Sequence, residues 1–178
     1  RVSGTFRYSG IGKSTSSYLD SGYSYWDRSF DLRVNLLREE KLVPELTVGL
    51  KDIIGTGVNK AEYIVASKKL DVSGILWNSK YISDIDFTMG LGWGDLSYNK
   101  FKNPLTEIRN NFSERTIIQD TEGGEFSPGR YFSGPMGVFA GIEVPLPNLS
   151  GLRLKLEYDA TDYKEEGFAF GRESFSFA

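Results

Sequence analysis

The sequence of 178 residues contains no cysteine and no histidine. Without thiols there are no disulfides and no thiolate metal sites. Without imidazole there is no Ser-His-Asp or Cys-His nucleophile system, and the commonest zinc ligand is missing. Neither sign of charge dominates, since 21 basic residues stand against 24 acidic ones for a net −3 at neutral pH. No basic cluster is present to neutralise phosphates, so nucleic acid is not an expected partner. No run approaches the ~20 apolar residues that a membrane helix needs. Neither an initiator Met nor a charged-then-apolar leader precedes Arg1, as expected of a mature chain or a fragment of a longer one. A mean hydropathy of −0.33 suits a soluble protein. It suits a membrane β-barrel equally well, because the lipid face of a barrel uses only every second residue.

What the chain has in quantity is Gly (20), Phe (12) and Tyr (10), with 3 Trp and only 2 Met, which favours all-β structure with many turns. The clearest stretch is Gly151–Ala160. Leu152, Leu154, Leu156 and Tyr158 fall on one side of an extended strand, and Arg153, Lys155, Glu157 and Asp159 fall on the other. Phe30, Leu32, Val34 and Leu36 alternate with Asp31, Arg33 and Asn35 over 29–36. Leu46, Val48 and Leu50 alternate with Thr47, Gly49 and Lys51 over 45–52. Ile85, Phe87, Met89, Leu91 and Trp93 stand against Asp86, Thr88 and glycines over 84–94, where three glycines and a period of 2 disfavour a helix. Met136, Val138, Ala140, Ile142 and Val144 oppose Gly137, Gly141 and Glu143 over 135–146. Further strands are expected at 2–8, at 61–70 with mixed faces and uncertain register, and at 168–177.

If these strands run up and down, the connections at 9–24, 55–60 and 95–134 share one end, and those at 38–44, 71–83 and 146–150 share the other. Residues 96–134 read as one long irregular segment, unusual in a compact soluble domain and usual on the outer side of an outer-membrane barrel. Three catalytic or ligand motifs suggest themselves and fall short. Gly12-Lys13-Ser14 matches the end of a phosphate-binding loop, but Arg7 stands where the first Gly belongs and no helix pattern follows. Gly90-Leu-Gly-Trp-Gly94 has the wrong spacing for a dinucleotide fingerprint. Asp159, Asp162, Glu165 and Glu166 cluster as a glycosidase pair or a cation site would, but a solvated strand end explains them as well. Asn111-Phe-Ser113 and Asn148-Leu-Ser150 match glycosylation sequons, which are common by chance.

Two architectures fit this pattern. A soluble β-barrel or sandwich turns the apolar face inward, and a transmembrane barrel turns it onto lipid. Strands of about ten residues suit a tilted bilayer crossing. Aromatics at strand ends (Tyr158, Trp93, Tyr25-Trp26) suit interfacial girdles. A face of Gly, Thr and charges of both signs suits a wet lumen. The lumen-facing set is then Asp31, Arg33, Asn35, Lys51, Asp86, Glu143, Arg153, Lys155, Glu157 and Asp159. These residues serve as cross-strand ion pairs or as the wall of a polar conduit that contacts sugars, with loop aromatics stacking on sugar rings.

Five phrases, in order, resemble the YjbH-like family of Gram-negative outer-membrane proteins: Leu50-Lys-Asp-Ile-Ile-Gly-Thr-Gly57, Glu62-Tyr-Ile-Val-Ala-Ser-Lys68, Gly90-Leu-Gly-Trp-Gly94, Tyr131-Phe-Ser-Gly-Pro135 and Leu154-Lys-Leu-Glu-Tyr-Asp159. The resemblance implies a section of a larger outer-membrane barrel linked to exopolysaccharide or capsule production, and it carries no catalytic motif. The expectation is therefore an all-β, antiparallel, up-and-down transmembrane β-barrel or a section of one, with 1–178 as a single segment of the cell outer membrane. It is expected to be non-enzymatic, with no cofactor or metal. Its partners would be exopolysaccharide, outer-membrane lipid and other export proteins. The alternatives are a soluble ligand-binding barrel or sandwich, and a carboxylate-based enzyme acting on glycans.

Overall fold

A computed structural model describes residues 1–11, 25–54, 60–72, 84–115, 128–146, 152–161 and 175–177. The strands are β1 (Val2–Ile11), β2 (Tyr25–Leu37), β3 (Glu45–Lys51), β4 (Ala61–Asp71), β5 (Asp84–Gly94), β6 (Met136–Pro145), β7 (Arg153–Tyr158) and β8 (Phe175–Phe177). They form one antiparallel sheet in strict chain order. Successive connections therefore alternate between two ends, as the loop rhythm predicts. Among the described residues β1 and β8 each pair on one edge only, so the sheet is open and not closed on itself. No helix in the described residues is long and apolar enough to cross a membrane.

Some bounds differ from the sequence expectation, and ladder pairing explains why. Ser9–Ile11, expected in a loop, zip onto Tyr25–Asp27 and lengthen the first hairpin. Strand β7 is shorter than the alternating stretch around it, because its pairing to β6 ends at Ala140–Tyr158. Above that point Asn99 takes over. Its side-chain amide donates to the Val138 carbonyl (3.0 Å) and accepts from the Val138 N–H (3.1 Å), filling the ladder place β7 vacates. Of the strand expected over 168–177 only 175–177 lies within the described residues.

Register joins the apolar positions into rows that cross the sheet. One row runs Val34–Val48–Ile64–Leu91–Val138 and another Leu32–Leu50–Glu62–Trp93–Met136. A conventional core is missing from the described residues, where the buried hydrophobics are Ile53, Ala61, Trp93 and Ala160. The large apolar side chains instead look outward, with Phe6 68%, Met89 50% and Leu154 54% exposed. The opposite, polar face is better shielded at its centre, and Thr47 is 1% exposed. Its shielding comes partly from aromatic rings laid over glycines: a Cβ at Gly49 would sit 2.1 Å from Tyr63 Cζ, and one at Gly90 would sit 2.1 Å from Phe139 Cζ. Only glycine leaves room for either ring, an arrangement that also fills the pleat where a side chain is absent.

The segment expected to be irregular, 96–134, is folded wherever it is described. Short 3₁₀ turns at Pro104–Glu107 and Asn110–Phe112 are organised by the buried Asn103, which accepts from the Leu105 N–H (3.0 Å) and donates to the Phe132 (2.8 Å) and Phe112 (3.2 Å) carbonyls. This cap docks on the upper end of β4–β6. Glu62, 1% exposed, accepts from both terminal nitrogens of Arg115 and from the Phe132 N–H (3.0 Å). Burial works against the Arg115 charge, but the hydrogen bonds and negative charge of Glu62 outweigh it and raise the pKa of the guanidinium. Burial, with the Glu62 charge behind it, also pushes the Tyr131 phenol up. Phe132 packs edge-on against Trp93, with ring centroids 5.2 Å apart. Trp93, expected in an interfacial girdle, is therefore buried under the cap. Residues 116–127 and the side chains of Tyr25 and Trp26 lie outside the described set.

Candidate functional site

The polar face is concave. Strands β3 and β7 lie four ladder steps apart, about 19 Å along a flat sheet at ~4.8 Å per step. Yet Lys51 of β3 and Lys155 of β7 line one open hollow of about 590 Å³. A flat sheet could not bring them to the same cavity. The hollow gathers Lys51, Asp86, Glu143, Lys155, Glu157 and Asp159 from the expected lumen set, and adds Thr88, Phe139 and Thr161. A second hollow of about 600 Å³, toward the lower end of β1–β3, takes Arg33 and Asn35 together with Arg1, Arg38, Glu39 and Glu45. Asp31 and Arg153 line neither.

The charges are largely matched to one another. Asp86 and Glu143 face each other in register, a like-charge pair that would repel. Arg153 settles it by bonding Asp86 Oδ2 (2.9 Å) through one terminal nitrogen and Glu143 Oε1 through Nε. Lys155 pairs with Glu157 at 2.7 Å and Lys69 with Asp84 at 2.5 Å. Arg33 reaches Glu45 at 3.8 Å, and Asn35 donates to Thr47 Oγ1 at 3.5 Å; both contacts are loose. Asp31 holds a turn, accepting from the Asp52 N–H at 2.9 Å. Asp159 lies just past β7 and accepts from the Thr161 hydroxyl (2.7 Å) and N–H (3.0 Å). Most of these pairs are half exposed, and each is worth ~0–1 kcal/mol.

Among the described residues no group of three or more carboxylates converges as a metal would require. Of the carboxylate cluster weighed for catalysis, Asp159 is committed to Thr161, whereas Asp162, Glu165 and Glu166 lie outside the described residues, as do Gly12–Thr15 and Asn148. Asn111 sits in an exposed 3₁₀ turn. Sequence reasoning missed the rings of Phe139 and Tyr63 on the concave face, although each lies in phase with the polar positions of its strand. It also missed Glu62, whose signal was a lone carboxylate in phase with Ile64 and Ala66.

A family model described as "Exopolysaccharide biosynthesis protein YbjH" matches residues 1–175. The chain is similar to a protein of Escherichia coli (strain K12) named "Uncharacterized lipoprotein YjbH", 34% identical over 166 residues, which is 91% of this chain and 22% of that protein. This chain thus spans about a fifth of the length of the curated relative it matches. No solved structure matches. The family match runs through the first seven strands and the cap, and it includes every phrase that carries the resemblance read from the sequence; the chain belongs to the YjbH family of exopolysaccharide biosynthesis proteins.

Proposed function

We propose that this chain is a sector of an outer-membrane β-barrel that assists exopolysaccharide export or assembly by non-covalent contact. Its apolar face would lie on lipid and its concave polar face would line a wet passage. One observation carries the reading: large apolar side chains on one face of β1, β2, β5, β6 and β7 (Phe6, Phe30, Met89, Ile142 and Leu154) are exposed, while the charged face is concave and largely paired. In water an exposed apolar face of this extent is unfavourable, at ~25 cal/mol per Å²; on hydrocarbon it carries no such penalty. Strands of 10 to 13 residues (β1, β2, β4, β5, β6) suit a tilted crossing, which needs ~9–11. The open edges of β1 and β8 leave places where strands of a longer polypeptide would continue the sheet. The family description supplies the exopolysaccharide link, and the name of the relative, a lipoprotein, agrees with an envelope location.

These 178 residues contain no cysteine, so with any cysteine elsewhere in the full-length protein replaced, an introduced thiol reports on its own position. Single cysteines at Met89 and Leu154 (apolar face) and at Thr88 and Ser67 (polar face) are introduced into the full-length protein and reconstituted in lipid. Water-soluble maleimide is expected to label the second pair, and a lipid-confined quencher to reach the first. Aqueous labelling at Met89 and Leu154 would overturn the lipid assignment. Protection of the same two positions by protein in a detergent-free soluble fraction would favour a sandwich instead.

A further inference from the structure

We propose that the cap is a foot on the membrane surface, with Phe101 and Ile108 in the lipid leaflet at the upper end of the sheet and Lys100, Lys102 and Arg109 at its phosphates. This rests on the reading of the apolar face as lipid-facing and adds which part of the chain meets the lipid surface. The placement of the cap leads to it, because the segment straddles the upper rim of the sheet. On the concave side Leu96 lies over glycines: a Cβ at Gly92 would sit 2.4 Å from Leu96 Cβ, and one at Gly137 would sit 2.1 Å from the Leu96 carbonyl oxygen. On the other side Arg115 and Phe132 pack on Glu62 and Trp93. Those two belong to the row Leu32–Leu50–Glu62–Trp93–Met136 on the apolar face. Phe101 extends that row. It bridges Met136 through two backbone hydrogen bonds, of 2.7 and 3.0 Å, and residues directly opposite on an antiparallel ladder point to the same face. Ile108 follows in the turn that Asn103 fastens to the carbonyls of Phe112 and Phe132, and is carried on the same side.

A segment packed on the outside of the lipid-facing face, at its rim, overhangs the lipid surface. What this one shows there is apolar: Phe101 is 49% exposed and Ile108 79%. Basic residues stand beside both, Lys100 and Lys102 on either side of Phe101 and Arg109 next to Ile108. Over 100–109 the one opposing carboxylate is Glu107, which Lys102 meets at 2.6 Å. This combination suits the boundary of a leaflet. Apolar side chains enter the acyl region while long basic stems reach back to the phosphates. The level fits as well, since the Trp93 row lies four residues up β5 from the exposed Met89, ~13 Å along the strand. Phe101 therefore stands at the edge of the apolar band, not in its middle. The Glu62–Arg115 pair marks the same level, where the cap itself keeps the charges out of hydrocarbon.

The test uses the full-length protein, with any other cysteine replaced, in vesicles of phosphatidylcholine and phosphatidylglycerol. Phe101→Cys, Ile108→Cys, Met89→Cys and Thr88→Cys each carry a bimane fluorophore, and nitroxide lipids quench from a shallow position near the headgroup or a deep one along the acyl chain. Met89→Cys is expected to lose more emission to the deep nitroxide, Phe101→Cys and Ile108→Cys more to the shallow one, and Thr88→Cys little to either. Ile108 is in an exposed turn, so its variant serves even if Phe101→Cys fails to fold. Omitting phosphatidylglycerol should weaken shallow quenching at Ile108→Cys, and adding Arg109→Gln should do the same. Quenching indifferent to both changes overturns the role given to the cations. Loss of quenching at Phe101→Cys and Ile108→Cys alone, whether water or another protein segment covers them, overturns the foot and leaves the lipid-facing sheet standing. Absence of quenching at Met89→Cys as well overturns both.

Discussion

Arg115 closes on Glu62 with both terminal nitrogens, at 2.8 and 2.9 Å across 53 residues of sequence, on the side of β4 that also carries Ile64 and Ala66. A carboxylate in an apolar row is costly unless paired, so this contact decides whether the cap docks. Breaking a buried pair by removing one partner costs ~3–5 kcal/mol, because the other charge is left behind. Glu62→Ala is therefore expected to release the cap, stranding Arg115 and the Phe132 N–H together. Limited proteolysis should cut within 95–115 in Glu62→Ala and Arg115→Ala and spare the wild type. Glu62→Met/Arg115→Met, which removes both charges, should recover much of the loss. A cap equally protected in both single variants would show that Asn103 and the Trp93–Phe132 packing suffice without the pair.

The connection between β2 and β3 carries a pH-dependent tether. Glu39 accepts from the Lys69 N–H at 2.9 Å and pairs with Lys68 Nζ at 3.1 Å. The backbone hydrogen bond from Lys69, with the Lys68 ammonium second, lowers its pKa below the ordinary Glu value. A group depressed in the folded state stabilises fully above its unfolded pKa, ~4.3 for Glu, and that contribution is lost as pH falls through the folded value. On acidification the turn should stay docked to β4 through the ordinary Glu range and loosen below it. A carboxyl-resolved NMR titration is expected to place the Glu39 midpoint below that of the exposed glutamates. In Glu39→Gln, amide-exchange protection at Lys69 should no longer follow pH over that window. A Glu39 midpoint at the ordinary value would refute the tether.

The same two contacts explain what could be read from the sequence and what could not. Period 2 was plain in β2, β3, β5, β6 and β7, where each strand keeps apolar and polar residues on separate sides, and those faces are the ones observed. Strand β4 resisted because Glu62 and Lys68 both sit in its apolar row. Each is satisfied from far away, Glu62 by Arg115 and Lys68 by Glu39 and the Glu40 carbonyl. No local pattern reveals a partner dozens of residues distant. The cap was invisible for a related reason, since its order comes from one side chain, Asn103, bonding three separate backbone groups. The residues expected to face a lumen share one side of the sheet by register, but no local pattern shows that Arg33 and Asn35 line one hollow, six others a second, and Asp31 and Arg153 neither.

Arg153 holds apart two carboxylates that register places opposite each other. Removing the cation leaves Asp86 facing Glu143 unscreened, whereas removing one carboxylate leaves a satisfied pair. Arg153→Gln should therefore destabilise more than Asp86→Asn, though both effects are modest at a half-exposed site, ~0.2–1 kcal/mol per cross-strand pair. The double variant Asp86→Asn/Arg153→Gln should be more stable than Arg153→Gln alone. Thermal unfolding in one detergent orders the variants. If Asp86→Asn proved the more damaging single change, the repulsion would not be what Arg153 answers.

Gly90 and Phe139 test whether the floor of the hollow between β3 and β7 is set by steric fit. A Cβ at Gly90 would lie 2.1 Å from Phe139 Cζ and 2.4 Å from Cε2, so the ring must swing off the sheet in Gly90→Ala. The clash is with the far end of a movable side chain, which keeps the cost within the usual ~1–3 kcal/mol of overpacking. Phe139→Ala alone loses the contacts of the ring but leaves the backbone untouched. Once the ring is gone, the added methyl meets nothing that it displaced before, so Gly90→Ala/Phe139→Ala should be clearly less destabilised than the sum of the two single changes. A cycle that closes additively in the unfolding free energies would mean that the ring does not rest on Gly90 in the folded protein. Sub-additivity would instead identify the glycine as the residue that lets an aromatic floor lie flat on the concave face.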